Sequence, residues 1–246
     1  MSLTIVHVAQ QVKGQFDWGN IQENKPVGFP QEQGGMNSFS TLFYWAHAWS
    51  EGGGEIGLHP HKGFEILSYV IKGEVQHYDT LLKKWIPLKE GDLQIIRSGS
   101  GISHAERIGP DSEIFQIWID PGLRRTLAIP ASYDDYSASD FPTEEQNGAQ
   151  ITSFHGEGSP LNMLGDAKFK KIVFGEGELN LDVPEDRILS VLLLEGELST
   201  EDGQKISKGD FFRAEGTQVL AFDAISSGNL FLIEVPKVPG YDTYIN

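Results

Sequence analysis

Residues 52–74 read GGGEIGLHPHKGFEILSYVIKGE, and residues 90–108 read EGDLQIIRSGSGISHAERI. In and just beyond these stretches lie the short runs EILSYVI (65–71), EVQHYDT (74–80), LQIIRS (93–98) and EIFQIWID (113–120). Each is rich in β-branched or aromatic residues and bounded by turn-forming ones, which predicts strands. Lys72-Gly73 is expected to make a two-residue hairpin turn, and Glu90-Gly91-Asp92 a second turn. Further along, FKKIVF (169–174), ILSVLLLEGELST (188–200), DFFRAE (210–215) and NLFLIEV (229–235) continue the pattern. Convincing amphipathic helices are scarce, so the chain reads as all-β.

Two regions interrupt this rhythm. The first 40 residues, with PVGFPQEQGGMNS (26–38), show little periodicity and read as irregular. Residues 121–160 contain four prolines and the polar stretch ASYDDYSASDFPTEE (131–145), which predicts a connection between modules. The halves on either side resemble each other. IKGEV (71–75) matches LEGEL (194–198) at an offset of 123, and KEGDLQ (89–94) matches SKGDFF (207–212) at an offset of 118. Common order and spacing predict tandem β-barrels, with residues 1–125 as the first module, 126–160 as the connection and 161–246 as the second.

The chain has 246 residues and a net charge of −16, from 35 acidic and 19 basic residues. Such a surface repels phosphate backbones, so no direct nucleic-acid partner is expected. There is no cysteine, which excludes disulfides, thiolate metal sites and a cysteine nucleophile and leaves imidazole and carboxylate as metal donors. The opening MSLTIVHVAQQVKGQ (1–15) lacks a charged region followed by an apolar one, and no apolar stretch approaches the roughly 20 residues of a membrane span. The expectation is a cytoplasmic protein with no membrane partner.

The candidate site lies in the quoted stretches. His59 and His61 are two apart, so on a strand they share a face, and His104 and Glu106 repeat that spacing. Two such pairs aimed into one barrel bring together three imidazoles and a carboxylate, a set suited to Fe, Mn, Ni, Cu or Zn with coordination positions left open. Ionisable groups buried in a barrel without a metal would cost several kcal/mol each. His77 and Asp79 share the i, i+2 spacing but read as structural. The Gly-rich RSGSGIS (97–103) reads as a tight turn, because no following helix or lysine supports a phosphate cradle. Phe43, Tyr44, Trp45 and Trp49 precede the first histidine pair and read mostly as core, with a pocket lining as the alternative. The second module looks empty: the repeat aligns His59, His61 and Glu65 with Asp182, Pro184 and Ile188, and His104 and Glu106 with Phe222 and Ala224.

Gly53-x5-His59-x-His61-x3-Glu65 resembles the first motif of cupins, and Gly91-x5-Arg97-x-Gly99 leading to His104 resembles the second. The finer text, HPHKGFEILSYVIKGEVQHYD and GDLQIIRSGSGISHAE, is similar to the pirin family of bicupins, closely over roughly residues 52–122. The resemblance implies two tandem double-stranded β-helix (jelly-roll) barrels and a metal, usually iron, held by His59, His61, His104 and Glu106. It implies that Glu65 stands behind the ligands and orients one imidazole through a hydrogen bond, with direct ligation as the alternative. It further implies a quercetin 2,3-dioxygenase-like activity, with a flavonol or other small phenolic or enolic substrate cleaved by dioxygen and Glu106 accepting the substrate proton. Its alternative is a metal-responsive regulator acting through a protein partner.

Overall fold

The apolar runs do form strands. The structure, a computed structural model, describes residues 2–216 and 218–245 and is built on a ten-stranded and a nine-stranded sheet. Among the described residues no helix is long and apolar enough to cross a membrane. The chain divides into two compact units. One comprises Gln11–Asp140 with Met163–Gly165 and the segment from Pro239 onward; the other comprises the residues up to Gln10, Phe141–Asn162 and Asp166–Val238.

The ten-stranded unit is organised by two long antiparallel strands, Leu42–His61 and Ile102–Ile119, paired from Ile102 opposite His61 to Ile119 opposite Leu42. Ile21–Gly28 pairs with the first, and Glu65–Lys72 and Glu74–Asp79 pair with the second. Ile21, Val70, Val75, Leu88, Ile108 and Ile114 pack into a buried cluster inside it. At roughly 25 cal/mol per Å² of apolar surface removed from water, such clusters supply the main drive for closing the sheet.

Lys72-Gly73 is not a hairpin turn. The strands either side of Gly73 do not pair with each other; both pair with Ile102–Ile119, Lys72 lying opposite Glu113 and Val75 opposite Ile108. Gly73 (φ +78°) is a bend in one edge, and a β-carbon there would lie 2.2 Å from Ser112 Oγ, the atom that accepts the Glu74 amide. Glycine alone relieves both constraints. Glu90-Gly91-Asp92 is a turn as expected, closed by the Asp92 amide on Lys89 O.

The first 40 residues are not irregular. Ser2–Val6, Val12–Phe16 and Ile21–Gly28 are strands, and Ser2–Val6 pairs with Phe211–Glu215, which places the opening residues in the nine-stranded unit. The 126–160 segment likewise holds strands. Ser132–Tyr136 pairs with Leu93–Arg97, and Thr143–Gln146 pairs with Ala149–Ser153 across Asn147-Gly148, both at positive φ as a type I′ turn requires.

Two backbone hydrogen bonds recur at the matching positions of the internal repeat. The Val70 amide donates to Asp92 O and the Gly91 amide to Val70 O; at the matching positions the Leu193 amide donates to Asp210 O and the Gly209 amide to Leu193 O. The Glu74 amide donates to Ser112 Oγ, and the Glu197 amide to Ser226 Oγ. In the nine-stranded unit, Phe222 and Ala224, the counterparts of His104 and Glu106, are each 3% exposed inside an apolar core.

Candidate metal centre

Register sets the site. His104 lies directly opposite His59 and Ile102 opposite His61, so the pairing of the two long strands brings the histidines together. The pairing slips between His104 and Glu106, which faces Ile56 rather than Gly57; a bulge of this kind re-aims side chains. Ring centroids are 4.4 Å apart for His59 and His104, 4.6 Å for His61 and His104 and 4.8 Å for His59 and His61. One nitrogen from each ring can be chosen so that all three lie within 4.8 Å of one another.

The nitrogens are prepared as donors of lone pairs. His59 Nδ1 stands 2.7 Å from Gly57 O; a carbonyl only accepts, so Nδ1 is the donor, and in the neutral tautomer this bond selects, Nε2 carries the lone pair. Burial, with the neighbouring His104 and His59, pushes the His61 imidazole down to about 3. Burial, together with His59 and His77, holds His104 well below the usual histidine range. His61 Nε2 and both ring nitrogens of His104 are buried without a hydrogen-bond partner among the described residues. The buried imidazoles of His61 and His104, with three unsatisfied ring nitrogens and His59 alongside them, fit a divalent transition ion, which would remove a cost of about 1–3 kcal/mol for each orphaned group.

Glu106 borders this cluster without belonging to it. It lines the same cavity, but Ser68 Oγ donates to Oε1 at 3.1 Å and Gln116 Nε2 donates to Oε2 at 2.8 Å. The Gln116 amide is itself fixed by Trp118 Nε1, which donates to Oε1 at 3.2 Å, and Trp118 packs edge-on against His61 at 4.7 Å. Three of the four expected groups therefore converge, and the fourth is held alongside them by two side chains.

Glu65 does not have the expected role. Its Oε1 accepts the Leu164 amide at 2.7 Å and its Oε2 the Gly165 amide at 2.8 Å, so the carboxylate anchors the 163–165 segment instead of orienting an imidazole. Burial raises its pKa, and those two amides with Arg97 and Arg125 oppose the rise. His77 and Asp79 form a buried pair, Nε2 to Oδ2 at 3.1 Å, and Asp79 Oδ1 accepts the amides of Leu81 and Leu82. These bonds brace the end of the Glu74–Asp79 strand and the chain at Leu81–Leu82.

The cluster opens on a cavity of about 420 Å³ lined by Phe29, Tyr44, Ala46, Ile114 and Trp118 as well as His59, His61 and Glu106, a size that suits a small-molecule ligand. Phe29 stacks on Tyr44 at 4.6 Å and meets Trp118 edge-on at 5.4 Å. Of the aromatic residues before the first histidine pair, Tyr44 lines this space and Trp45 is fully buried core. Ser68, Gln116, Phe29 and the Gly57 carbonyl were not singled out by the sequence. Only Gln116 and Trp118 carried a usable signal, the alternation of EIFQIWID.

A histidine cluster beside a small-molecule cavity in a two-sheet β-protein defines a cupin with a candidate metal centre. The Pirin family model matches residues 22–119. The chain is 43% identical over 193 residues, 76% of its length and 79% of the relative's, to a quercetin 2,3-dioxygenase of Escherichia coli O157:H7. It is 30% identical over 178 residues to Pirin-like protein 2 of Arabidopsis thaliana, covering 69% of this chain and 53% of that longer protein. In structure it is similar to the bacterial pirin YhhW of Escherichia coli, described in complex with nickel(II), with a TM-score of 0.78, 23% identity and coverage of 96% of this chain and 100% of that one. The chain belongs to the pirin family, and its fold is the all-β, two-barrel fold of that family's cupins.

Proposed function

We propose that this protein is a metal-dependent dioxygenase acting on a flavonol or another small phenolic or enolic compound. Two features support the reading: a cluster of three imidazoles, two of them in the wall of an aromatic cavity, and a relative that carries the name quercetin 2,3-dioxygenase. His59, His61 and His104 would hold the ion, with Glu106 as the fourth ligand on release from Gln116. Iron is our first assignment; Zn, Mn, Ni and Cu suit the same donors, and nickel is named for YhhW. The ion supplies a Lewis acid for a substrate hydroxyl and a route for electrons to dioxygen.

The protein's own contributions follow from position. Phe29, Tyr44 and Trp118 offer faces and edges to a flat aromatic body, and Ile114 and Ala46 keep its surroundings dry. Glu106 lines the cavity beside the histidines and is the candidate acceptor of the enol proton; before its release for ligation, Ser68 and Gln116 hold its two oxygens. The absence of cysteine fits a reducing compartment, and we place the reaction in the cytoplasm.

The test is oxygen uptake with quercetin by protein stripped with a chelator and reloaded with single metals. Uptake that requires metal supports the assignment. Absence of uptake with every metal, in protein shown to be loaded, refutes the flavonol assignment, and the same result across a panel of small phenolic and enolic compounds refutes the dioxygenase reading.

A further inference from the structure

One wall of the cavity is out of keeping with the rest. Among Phe29, Tyr44, Ala48, Ile114 and Trp118 stands Glu23, a carboxylate only 5% exposed. Tyr44 Oη donates to its Oε2 at 3.0 Å, and Lys25 Nζ lies 3.2 Å from its Oε1. Lys25 is equally buried and also pairs with Glu32, so two carboxylates share one ammonium and the group keeps a net negative charge. Burying the two charges of Glu23 and Lys25 costs several kcal/mol per ion, and apolar side chains of similar size commonly fill such a wall at lower cost. The chain has also cleared space for Glu23. A β-carbon on Gly14 would lie 2.1 Å from Glu23 Oε1 and 2.7 Å from its Cγ.

We infer that Glu23 is a specificity-determining residue that accepts a hydrogen bond from a second hydroxyl of the ligand, apart from the group taken at the histidine end. A carboxylate has about four acceptor positions. The tyrosine and the lysine take one on each oxygen, leaving acceptor capacity on a side chain that faces the cavity. Tyr44 stays a phenol, because burial and the Glu23 charge raise its pKa well above the ordinary value, so it donates to Glu23 and leaves the remaining positions to the ligand. The ligand class is a planar polyhydroxylated aromatic. A ligand presenting a carboxylate or phosphate to this wall is repelled by the net charge.

The inference rests on the flavonol reading and deepens it. Its test is binding without turnover: anaerobic titration of the metal-loaded protein, read by tryptophan fluorescence, with quercetin and with the parent flavonol that has no other hydroxyl. Quercetin is expected to bind about tenfold more tightly, the value of one charge-assisted hydrogen bond. E23Q, which keeps the shape and loses the charge, is expected to cut that preference to about threefold or less with metal content unchanged. Equal binding of the two ligands by the parent protein overturns the inference even if E23Q fails to fold, and so does a preference that persists undiminished in E23Q. Binding of neither ligand overturns the flavonol reading itself, and this inference with it.

Discussion

His59 and His104 face each other across two antiparallel strands with their ring centroids 4.4 Å apart. Burial lowers the pKa of both His61 and His104, and the neighbouring rings add to it: His104 and His59 act on His61, and His59 and His77 act on His104. The site is built for neutral imidazoles, and this has a cost when nothing holds them.

That cost sets a pH dependence. An unfolded histidine titrates near 6.5, whereas His61 in the folded protein titrates near 3. Between these values the unfolded chain binds the proton and the folded one does not, so stability rises with pH through the window and is lost as pH falls below about 6.5. Each such histidine contributes a slope of up to about 1.4 kcal/mol per pH unit. Metal-free protein is expected to melt progressively lower from pH 7 to pH 5 and His61→Phe to show a shallower decline, as measured by thermal unfolding across a pH series. A parent protein with a flat profile would show that its histidines protonate freely when folded.

Glu65→Gln separates anchoring from ligand orientation. The substitution turns an NH2 group toward one of the two amides of Leu164 and Gly165, at a cost of about 1–3 kcal/mol. The expected outcome is a lower melting temperature with metal content unchanged. Loss of metal at unchanged stability would return Glu65 to a role at the ligands.

Gly73→Ala tests the bend. Positive φ and Ser112 Oγ at 2.2 Å from the added carbon together predict a loss of about 1–3 kcal/mol. Denaturant unfolding should show it. Neutral behaviour would mean that the edge accommodates the side chain by moving Ser112.

The sequence made the strands around the histidines legible because their inward positions are apolar and alternate with polar ones. It hid Ile21–Gly28 for the opposite reason: the buried positions Glu23 and Lys25 are charged and pair with each other, so no period-two apolar pattern marks the strand. Gly73 looked like a hairpin because a Lys-Gly pair between two strand-like runs is the local signature of one; only the shared partner strand reveals a bend. The hairpin at Asn147-Gly148 was readable, but the prolines and acidic residues around it obscured the flanking strands. For the site, i, i+2 spacing located the three histidines, whereas the hold of Ser68 and Gln116 on Glu106 depends on a bulge between His104 and Glu106 that spacing does not encode.

The measurement that bears most directly on the account is elemental analysis of purified His59→Ala, His61→Ala and His104→Ala beside the parent and the exposed-site control Asp182→Ala. The parent and the control should carry a transition metal in near-equimolar amount, and each histidine variant roughly a tenth of it or less, since loss of a donor weakens affinity by at least the 10–100-fold seen for supporting residues. Full metal content in all three histidine variants would contradict the centre described above.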